Sequence, residues 1–271
     1  MKKSTFFFIN FIIFTIGLLL GLIIATNIIQ HKTNITSDDI TTYTETSDSQ
    51  STSTPSQPKP RKDATYVSDD PYILELEATY SDNGSNCWQN SIDQLNTQFD
   101  IVFLGDSLTK YNNWQELFPD KNVLNYGYSD ATLEVIYAFK NSVIQLNPDY
   151  IVIGGGTNRL VQLREENIHC YRAMLEAFTQ CTYAKIYVQS IPPLTRQGCA
   201  LFGYTVQDIQ DYNKQLEDLA NEYGCTFVDI YSLYADSDGF LNDKDSVDGV
   251  HLTEDAYIPW EEAIKQTLTD N

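Results

Sequence analysis

Five short apolar runs, separated by stretches with helical spacing, constrain the fold of this chain more than any other feature of its sequence. Such a run between polar residues is typical of a strand that is buried on both faces. Strands that alternate with helices pair in parallel, because each helix returns the chain to the edge where the previous strand began. The pattern therefore predicts a parallel sheet covered by helices on both faces. The predicted strands are Ile101–Leu104, Val123–Tyr126, Tyr150–Ile153, Lys185–Ser190 and Thr226–Ile230, and the predicted helices lie near 85–95, 114–118, 133–146, 166–178 and 206–223, with a last one after Thr253.

The first predicted strand runs into Gly105-Asp106-Ser107-Leu108. Gly105 permits a sharp turn of the backbone. Ser107 then emerges at the carboxyl end of the strand, where open α/β sheets place their ligand crevices. A hydroxyl in that position can act as a nucleophile when a base lies within hydrogen-bond reach. Ser107 is therefore a candidate nucleophile, and the alternative is that Gly-Asp-Ser serves only to form a turn.

Three histidines could supply the base: His31, His169 and His251. His31 directly follows a long apolar run near the N-terminus, and His169 lies in a helical pattern where a surface or packed imidazole is typical. His251 lies in a turn-rich loop, three residues after Asp248. A carboxylate at this spacing can fold back to bind Nδ1 and leave Nε2 free to take a proton. The spacing predicts His251 as the base and Asp248 as the group that orients it.

Two further strand ends offer hydrogen-bond donors to the same crevice. Gly127 follows the second strand and can present its backbone N–H, and Asn158 follows the glycine run 154–156 after the third strand. The alternatives are a tight turn for the glycines and a helix cap for Asn158. Acyl transfer needs such donors aimed at the developing oxyanion, where each is worth roughly 3 to 4 kcal/mol.

Together these four segments resemble the SGNH hydrolases, also called the GDSL esterase and lipase superfamily, from Asp100 to about Leu268. The resemblance rests on the order, spacing and residue types of the motifs. It implies a three-layer α/β/α sandwich with a parallel, flavodoxin-like central sheet. It also implies a catalytic triad of Ser107, Asp248 and His251, and an oxyanion hole formed by the Ser107 backbone N–H, Gly127 and Asn158. The motifs are Gly105-Asp106-Ser107-Leu108, Gly127, Gly156-Thr157-Asn158 and Asp248-Gly249-Val250-His251.

The third motif departs from the family pattern at one residue. The family usually has Gly-x-Asn-Asp, and here Arg159 replaces the final aspartate. Because the implied oxyanion donor is Asn158, the chemistry is expected to survive this exchange. Arg159 is instead a candidate to meet an anionic part of a substrate. The family resemblance gives Asp106 a place in the first motif without a reacting role.

The first 65 residues have a different organisation. An apolar segment at about 6–29 follows Lys2 and Lys3, and roughly 20 such residues span a bilayer as a helix. Its length favours an uncleaved signal anchor over a cleaved signal peptide, and the positive-inside rule places the following chain outside the cytoplasm. The Ser-, Thr- and Pro-rich stretch predicts a disordered linker. The predicted organisation is a signal anchor at 1–32, a linker at 33–65 and an SGNH hydrolase-like domain at 66–271.

The net charge and the spacing of several motifs argue against other functions. A formal charge of −20 argues against nucleic acid as a partner. The glycine run lacks the following Lys-Ser or Lys-Thr of a phosphate-binding loop, and the acidic stretch 236–249 fails the register of a calcium loop. No cofactor or metal is therefore expected. The chain has an odd number of cysteines, so at least one cannot pair within it, and most of them are interpreted as small buried residues. The five are Cys87, Cys170, Cys181, Cys199 and Cys225.

The sequence thus predicts a single-pass plasma-membrane protein whose catalytic domain lies outside the cytoplasm. The expected activity is that of a serine esterase acting through an acyl-enzyme, with O-acetylated polysaccharide or peptidoglycan of the cell envelope as the favoured substrate. An O-acyltransferase or a lipid esterase with the same triad is an alternative. A catalytically silent module that binds glycan in the same crevice is an alternative of another class.

Overall fold

The computed structural model describes residues 59–82 and 98–269. The predicted apolar span at about 6–29 and the predicted helix near 85–95 lie outside these residues. Among the described helices, none is long and apolar enough to cross a membrane.

A five-stranded parallel sheet forms the centre of the described domain, as predicted. Its spatial order is β2-β1-β3-β4-β5, which is the flavodoxin-like order. The order reverses beside β1, which pairs with β2 on one side and with β3 on the other. The carboxyl ends of β1 and β3 therefore border the crevice expected at such a switch point. The strands are β1 Ile101–Gly105, β2 Val123–Gly127, β3 Tyr150–Ile153, β4 Lys185–Gln189 and β5 Thr226–Val228.

Helices cover both faces of this sheet. Two short 3₁₀ turns, at Asp243–Asp245 and Asp255–Tyr257, flank the loop that carries His251. The α-helices of the described residues are α1 Pro71–Asp82, α2 Ser107–Lys110, α3 Trp114–Leu117, α4 Leu133–Ala138, α5 Lys140–Leu146, α6 Arg164–Cys181, α7 Arg196–Phe202, α8 Val206–Glu222, α9 Tyr231–Tyr234 and α10 Ile258–Thr269.

Strand β1 shows how an uninterrupted apolar run specifies this three-layer arrangement. Val102 and Leu104 point into a core formed with α4, α6 and α8, whereas Ile101 and Phe103 point into a second core formed with α2, α3 and α10. All four side chains are fully buried. Because side chains alternate between the two faces of a strand, a central strand covered on both sides needs apolar residues at every position.

The helices differ from the predicted ones in several places: one predicted helix is divided, and the helices α1, α2, α7 and α9 were not predicted. The predicted helix near 133–146 is divided at Phe139, whose N–H bonds back to Ile136 three residues earlier rather than continuing the α-helical pattern. Helix α7 was not predicted, because Gly198 interrupts a short helical pattern. A Cβ at this position would lie 2.2 Å from the carbonyl oxygen of Gly249, so the close approach of α7 to the His251 loop requires glycine.

The domain also begins earlier than the predicted boundary at residue 66. Lys59 forms an ion pair with Asp149 at 2.9 Å, and Lys62 donates to the carbonyl oxygen of Thr179 at 2.6 Å. Helix α1 then packs on α6 and α4. The basic residues of this stretch thus hold it against the acidic domain, although its composition is that of a linker.

Candidate active site

Ser107 lies where strand β1 turns into helix α2. Asp106 caps that helix, and its Oδ1 accepts the backbone N–H of Leu108 at 3.0 Å. The turn requires Gly105, since a Cβ there would lie 2.1 Å from Oγ1 of Thr109. These constraints place Ser107, which is 7% exposed, at the carboxyl end of the central strand.

His251 and Asp248 come from the loop between β5 and α10 and meet Ser107 from the other side of the crevice. Nε2 of His251 lies 2.8 Å from Oγ of Ser107, and Nδ1 lies 2.6 Å from Oδ2 of Asp248. The three predicted triad residues therefore form one continuous chain of hydrogen bonds, across 144 residues of sequence between the serine and the imidazole. This geometry allows Nε2 to accept the hydroxyl proton while the carboxylate stabilises the imidazolium.

Asp248 also shapes the loop that carries the imidazole. Its Oδ1 accepts the backbone N–H groups of Val250 at 3.0 Å and His251 at 2.8 Å. Partial burial acts to raise the pKa of the Asp248 carboxyl, but the hydrogen bonds from the His251 side chain and backbone outweigh it and lower the pKa below its usual value. The carboxylate is thus held ionised, as its orienting role requires.

Two residues that the sequence reasoning missed anchor the same loop. Oγ of Ser246 accepts the N–H of Gly249 at 2.8 Å and donates to the carbonyl oxygen of His251 at 2.9 Å. Thr195, at the start of α7, donates its backbone N–H to the carbonyl oxygen of Gly249 at 3.0 Å. Gly249 itself has a φ of 100°, a value that favours glycine. No sequence signal pairs Thr195 with this loop, because the contact spans more than 50 residues.

Asn158 lies in the loop after β3, as predicted. One N–H of its side-chain amide donates to the carbonyl oxygen of Ala131 at 3.0 Å, which fixes the direction of the amide plane. An amide nitrogen carries two hydrogens, and the second N–H has no partner among the described residues, so it is available as a donor. Gly156, with a φ of 111°, turns the backbone just before this residue.

Gly127 is not placed as predicted. Its backbone N–H donates to Oδ1 of Asn125 at 2.9 Å, so this donor is already engaged. A Cβ at Gly127 would lie 2.3 Å from the backbone nitrogen of Lys110, so the glycine is required for packing against α2. The physical reason is that the residue still belongs to strand β2, where it pairs with Gly105. The glycine signal is therefore explained by close packing rather than by a free donor.

The loop after β2 offers another donor at the same edge. Within the described part of the chain, the backbone N–H of Ser129 has no hydrogen-bond partner, and its hydroxyl lies 3.4 Å from the Tyr111 hydroxyl. Tyr111 in turn packs edge-on against the His251 ring, with ring centroids 5.2 Å apart. Tyr111 is 57% exposed and lies one turn after Ser107, so it forms a wall of the crevice. Its helical spacing from Ser107 is the signal that could have identified it.

Asp106 and His169 lie outside the chain of hydrogen bonds that joins Ser107, His251 and Asp248. Asp106 is buried behind the crevice, and this burial raises the pKa of its carboxyl to about 6 despite the hydrogen bond from Leu108. His169 lies on α6, where Nδ1 bonds to Asp70 on the domain surface. Among residues 59–82 and 98–269, no group of three or more His, Cys, Asp and Glu side chains is arranged to hold a metal ion. The described cysteines are free: Cys170, Cys181, Cys199 and Cys225.

Comparison with known proteins identifies a family whose sequence pattern this chain matches. The model of the GDSL-like Lipase/Acylhydrolase family matches residues 103–257. The chain is 29% identical over 182 residues to the platelet-activating factor acetylhydrolase IB subunit alpha2 of Gallus gallus, which covers 63% of this chain and 78% of that protein.

Solved structures have the same fold. A GDSL-like lipase from Bacteroides thetaiotaomicron superposes with a TM-score of 0.60 at 23% identity, over 69% of this chain and 98% of that one. An acetyl-xylooligosaccharide esterase from Geobacillus superposes with a TM-score of 0.51 at 16% identity, over 63% and 94% of the two chains. The chain therefore belongs to the GDSL-like lipase/acylhydrolase family, and it is an ester-bond hydrolase.

Proposed function

We propose that this chain is a serine esterase that removes O-acetyl groups from carbohydrate of the cell envelope. The observation that carries the proposal is the chain of hydrogen bonds from Asp248 through His251 to Ser107, at 2.6 and 2.8 Å. Both distances lie within the reach expected between a nucleophile, its base and the group that orients the base.

The reaction follows from this geometry in two stages. Oγ of Ser107 attacks the ester carbonyl carbon while Nε2 of His251 takes the hydroxyl proton. The bond from that carbon to the alcohol oxygen then breaks, and His251 gives the proton to the departing alcohol. In the second stage, His251 takes a proton from water, the resulting hydroxide attacks the acyl-enzyme, and Ser107 recovers its proton as the acid leaves.

The negative charge that develops on the carbonyl oxygen needs donors at the same strand ends. We assign this role to the backbone N–H of Ser107 and the free side-chain N–H of Asn158. Since the Gly127 N–H is engaged with Asn125, the Ser129 N–H replaces it as the candidate third donor. Donors fixed in advance stabilise the transition state without reorganisation, which is the largest single contribution in many acyl transfers.

An acetyl group on a carbohydrate is favoured by the names of similar proteins. These names specify acetyl esters, in a platelet-activating factor acetylhydrolase and an acetyl-xylooligosaccharide esterase. The shape of the crevice separates the candidate esters, because an open crevice suits a short acyl group on a large alcohol, whereas long acyl chains need a deep apolar pocket.

The proposed location completes the assignment. The apolar segment at about 6–29 would anchor the chain in the plasma membrane, and the Ser-, Thr- and Pro-rich stretch would tether the catalytic domain on the outer side. Protease accessibility of the domain in intact cells, compared with lysed cells, tests this location. Protection of the domain in intact cells would contradict it.

Hydrolysis of p-nitrophenyl acetate by the domain and its Ser107→Ala variant tests the serine mechanism. We expect the variant to lose the activity and to lose labelling by a fluorophosphonate probe, whereas Ser129→Ala, which keeps its backbone N–H, should retain both. Equal rates for the wild type and Ser107→Ala would exclude the mechanism. Absence of labelling in the wild type would favour a silent glycan-binding module instead.

The same groups can also transfer the acyl group to a sugar hydroxyl instead of water, because the acyl-enzyme accepts either nucleophile. Product analysis with an acceptor glycan present separates the two reactions. Free acetate as the main product supports the esterase, and an acylated acceptor supports the transferase.

A further inference from the structure

Arg159 differs from every other arginine of the chain. The other four have partners: Arg164 pairs with Asp208, Arg172 with Glu222 and Arg196 with Asp238, while Arg61 donates to the Gln145 carbonyl oxygen. The guanidinium of Arg159 is exposed, and it has neither an ion pair nor a side-chain hydrogen bond among the residues that the structure describes. Its donors are therefore available to a ligand.

The composition of the chain makes it unusual that this cation has no partner among residues 59–82 and 98–269. Aspartate and glutamate number 37 against 17 lysines and arginines. In such an excess of carboxylates, an arginine on the surface readily finds an acidic neighbour. Arg159 directly follows Asn158, the proposed oxyanion donor, so its Cα lies within about 4 Å of the Asn158 Cα in the same loop.

The backbone at Arg159 is also held in place. Its φ is 56°, in the left-handed region that residues other than glycine seldom adopt. The hydroxyl of Tyr204, a buried residue, accepts the N–H of Leu160 at 3.0 Å and donates to the carbonyl oxygen of Thr157 at 3.1 Å. This clamp holds the loop backbone on both sides of Asn158 and Arg159, so the two residues start from fixed backbone positions.

We propose that Arg159 binds an anionic group, a carboxylate or a phosphate, that the substrate carries close to the ester. The inference rests on the proposed esterase function and narrows its substrate to acidic glycans. A guanidinium offers parallel N–H donors that match both anions in bidentate geometry. Arg159 is then a residue that determines specificity, and it takes no part in breaking the ester bond.

The test compares three acetyl esters on the same enzyme preparations. One is an acetylated oligosaccharide of uronic acids, one is an acetylated sugar phosphate, and one is an uncharged acetylated xylo-oligosaccharide. The variants are Arg159→Gln, which removes the charge, and Arg159→Asp, which introduces the residue usual in the family and would repel an anion. Arg172→Gln is the control, because it removes the same charge from an exposed arginine that is already paired.

We expect Arg159→Gln to lower kcat/KM about 5- to 50-fold on an anionic ester, mainly through KM, since the site is exposed to water. The loss should be larger in Arg159→Asp and smaller at high salt. The neutral ester and p-nitrophenyl acetate should change less than about twofold, as should every substrate with Arg172→Gln. The anionic ester that shows the loss identifies the anion as carboxylate or phosphate.

Equal effects of Arg159→Gln on the charged and uncharged esters would overturn the inference, and so would no effect on any of them. Failure of the esterase proposal is distinguishable, because the wild type would then hydrolyse neither p-nitrophenyl acetate nor the uncharged ester. Circular dichroism spectra that match the wild type ensure that a loss on the anionic esters reflects binding and not unfolding.

Discussion

Replacement of Asp248 by asparagine tests the hydrogen-bonded chain most sharply. Oδ1 of Asp248 accepts the backbone N–H groups of Val250 and His251, and an asparagine oxygen can accept both, so the loop keeps its shape. Oδ2 lies 2.6 Å from Nδ1 of His251, and the asparagine places an NH₂ group there. That group donates to Nδ1, so the ring proton moves to Nε2. Nε2 can then no longer accept the proton of Ser107.

The structure sets the size of the expected loss. In serine proteases, where the triad carboxylate is buried, the same exchange lowers kcat about 10⁴-fold. The Asp248 side chain is 50% exposed, so water stabilises the imidazolium in part and reduces the effect. We therefore expect kcat to fall about 10²- to 10³-fold, equivalent to roughly 3 to 4 kcal/mol of transition-state stabilisation.

Initial rates of p-nitrophenyl acetate hydrolysis at pH 8 measure this loss. Asp243→Asn is the matched control, because it removes an exposed carboxylate from the same loop without touching His251, and it should leave the rate unchanged. A folded Asp248→Asn variant that stays within about threefold of the wild-type rate would refute the orienting role of Asp248.

Three further predictions concern the residues around the crevice. Burial raises the pKa of Asp106 to about 6, so the stability that it contributes is present below the unfolded pKa near 3.9 and lost as the pH rises through 6. Urea unfolding should therefore show that the free energy of unfolding of Asp106→Asn, taken relative to that of the wild type, rises by about 3 kcal/mol between pH 4 and pH 8. A difference that stays constant with pH would contradict this. Gly156→Ala should cost about 2 to 4 kcal/mol in the free energy of unfolding, because its Cβ would lie 2.2 Å from the Tyr212 hydroxyl. Gly203→Ala, which has open space around the Cβ, should cost only about 1 kcal/mol. Asn158→Ala should lower kcat about 10²- to 10³-fold with little change in KM, and an unchanged kcat would remove Asn158 from the oxyanion hole.

The strands were predictable because their signal is local. Each buried strand needs a short apolar run, and each run here ends within two residues of the observed strand. Helix α7 was not predictable, since Gly198 is a poor helix former. Glycine is required at this position because the Gly249 carbonyl group, on a loop distant in sequence, packs against it. Helix α1 escaped prediction for a related cause. It depends on contacts with α6 and α4 more than on a strong helical pattern of its own.

The residues of the candidate site were identified from short motifs, and their convergence was expected from the parallel sheet. Asp248 and His251 are three residues apart, so one turn brings them together whatever the fold. The prediction for Gly127 was wrong for a physical reason. A glycine can mark either an exposed N–H or a close packing contact, and only the position of Lys110 beside it distinguishes the two.

The sequence by itself determined the sheet, the order of its elements and the chemical groups at the strand ends, because these depend on periodicity and residue type along short stretches. Tertiary structure alone decided which wall Tyr111 forms and, among the described residues, which donors and which arginine have no partner. Those properties depend on atoms that lie far apart in sequence and close together in space. A hydroxyl, an imidazole or a guanidinium is specified by one residue, but its availability is specified by its neighbours.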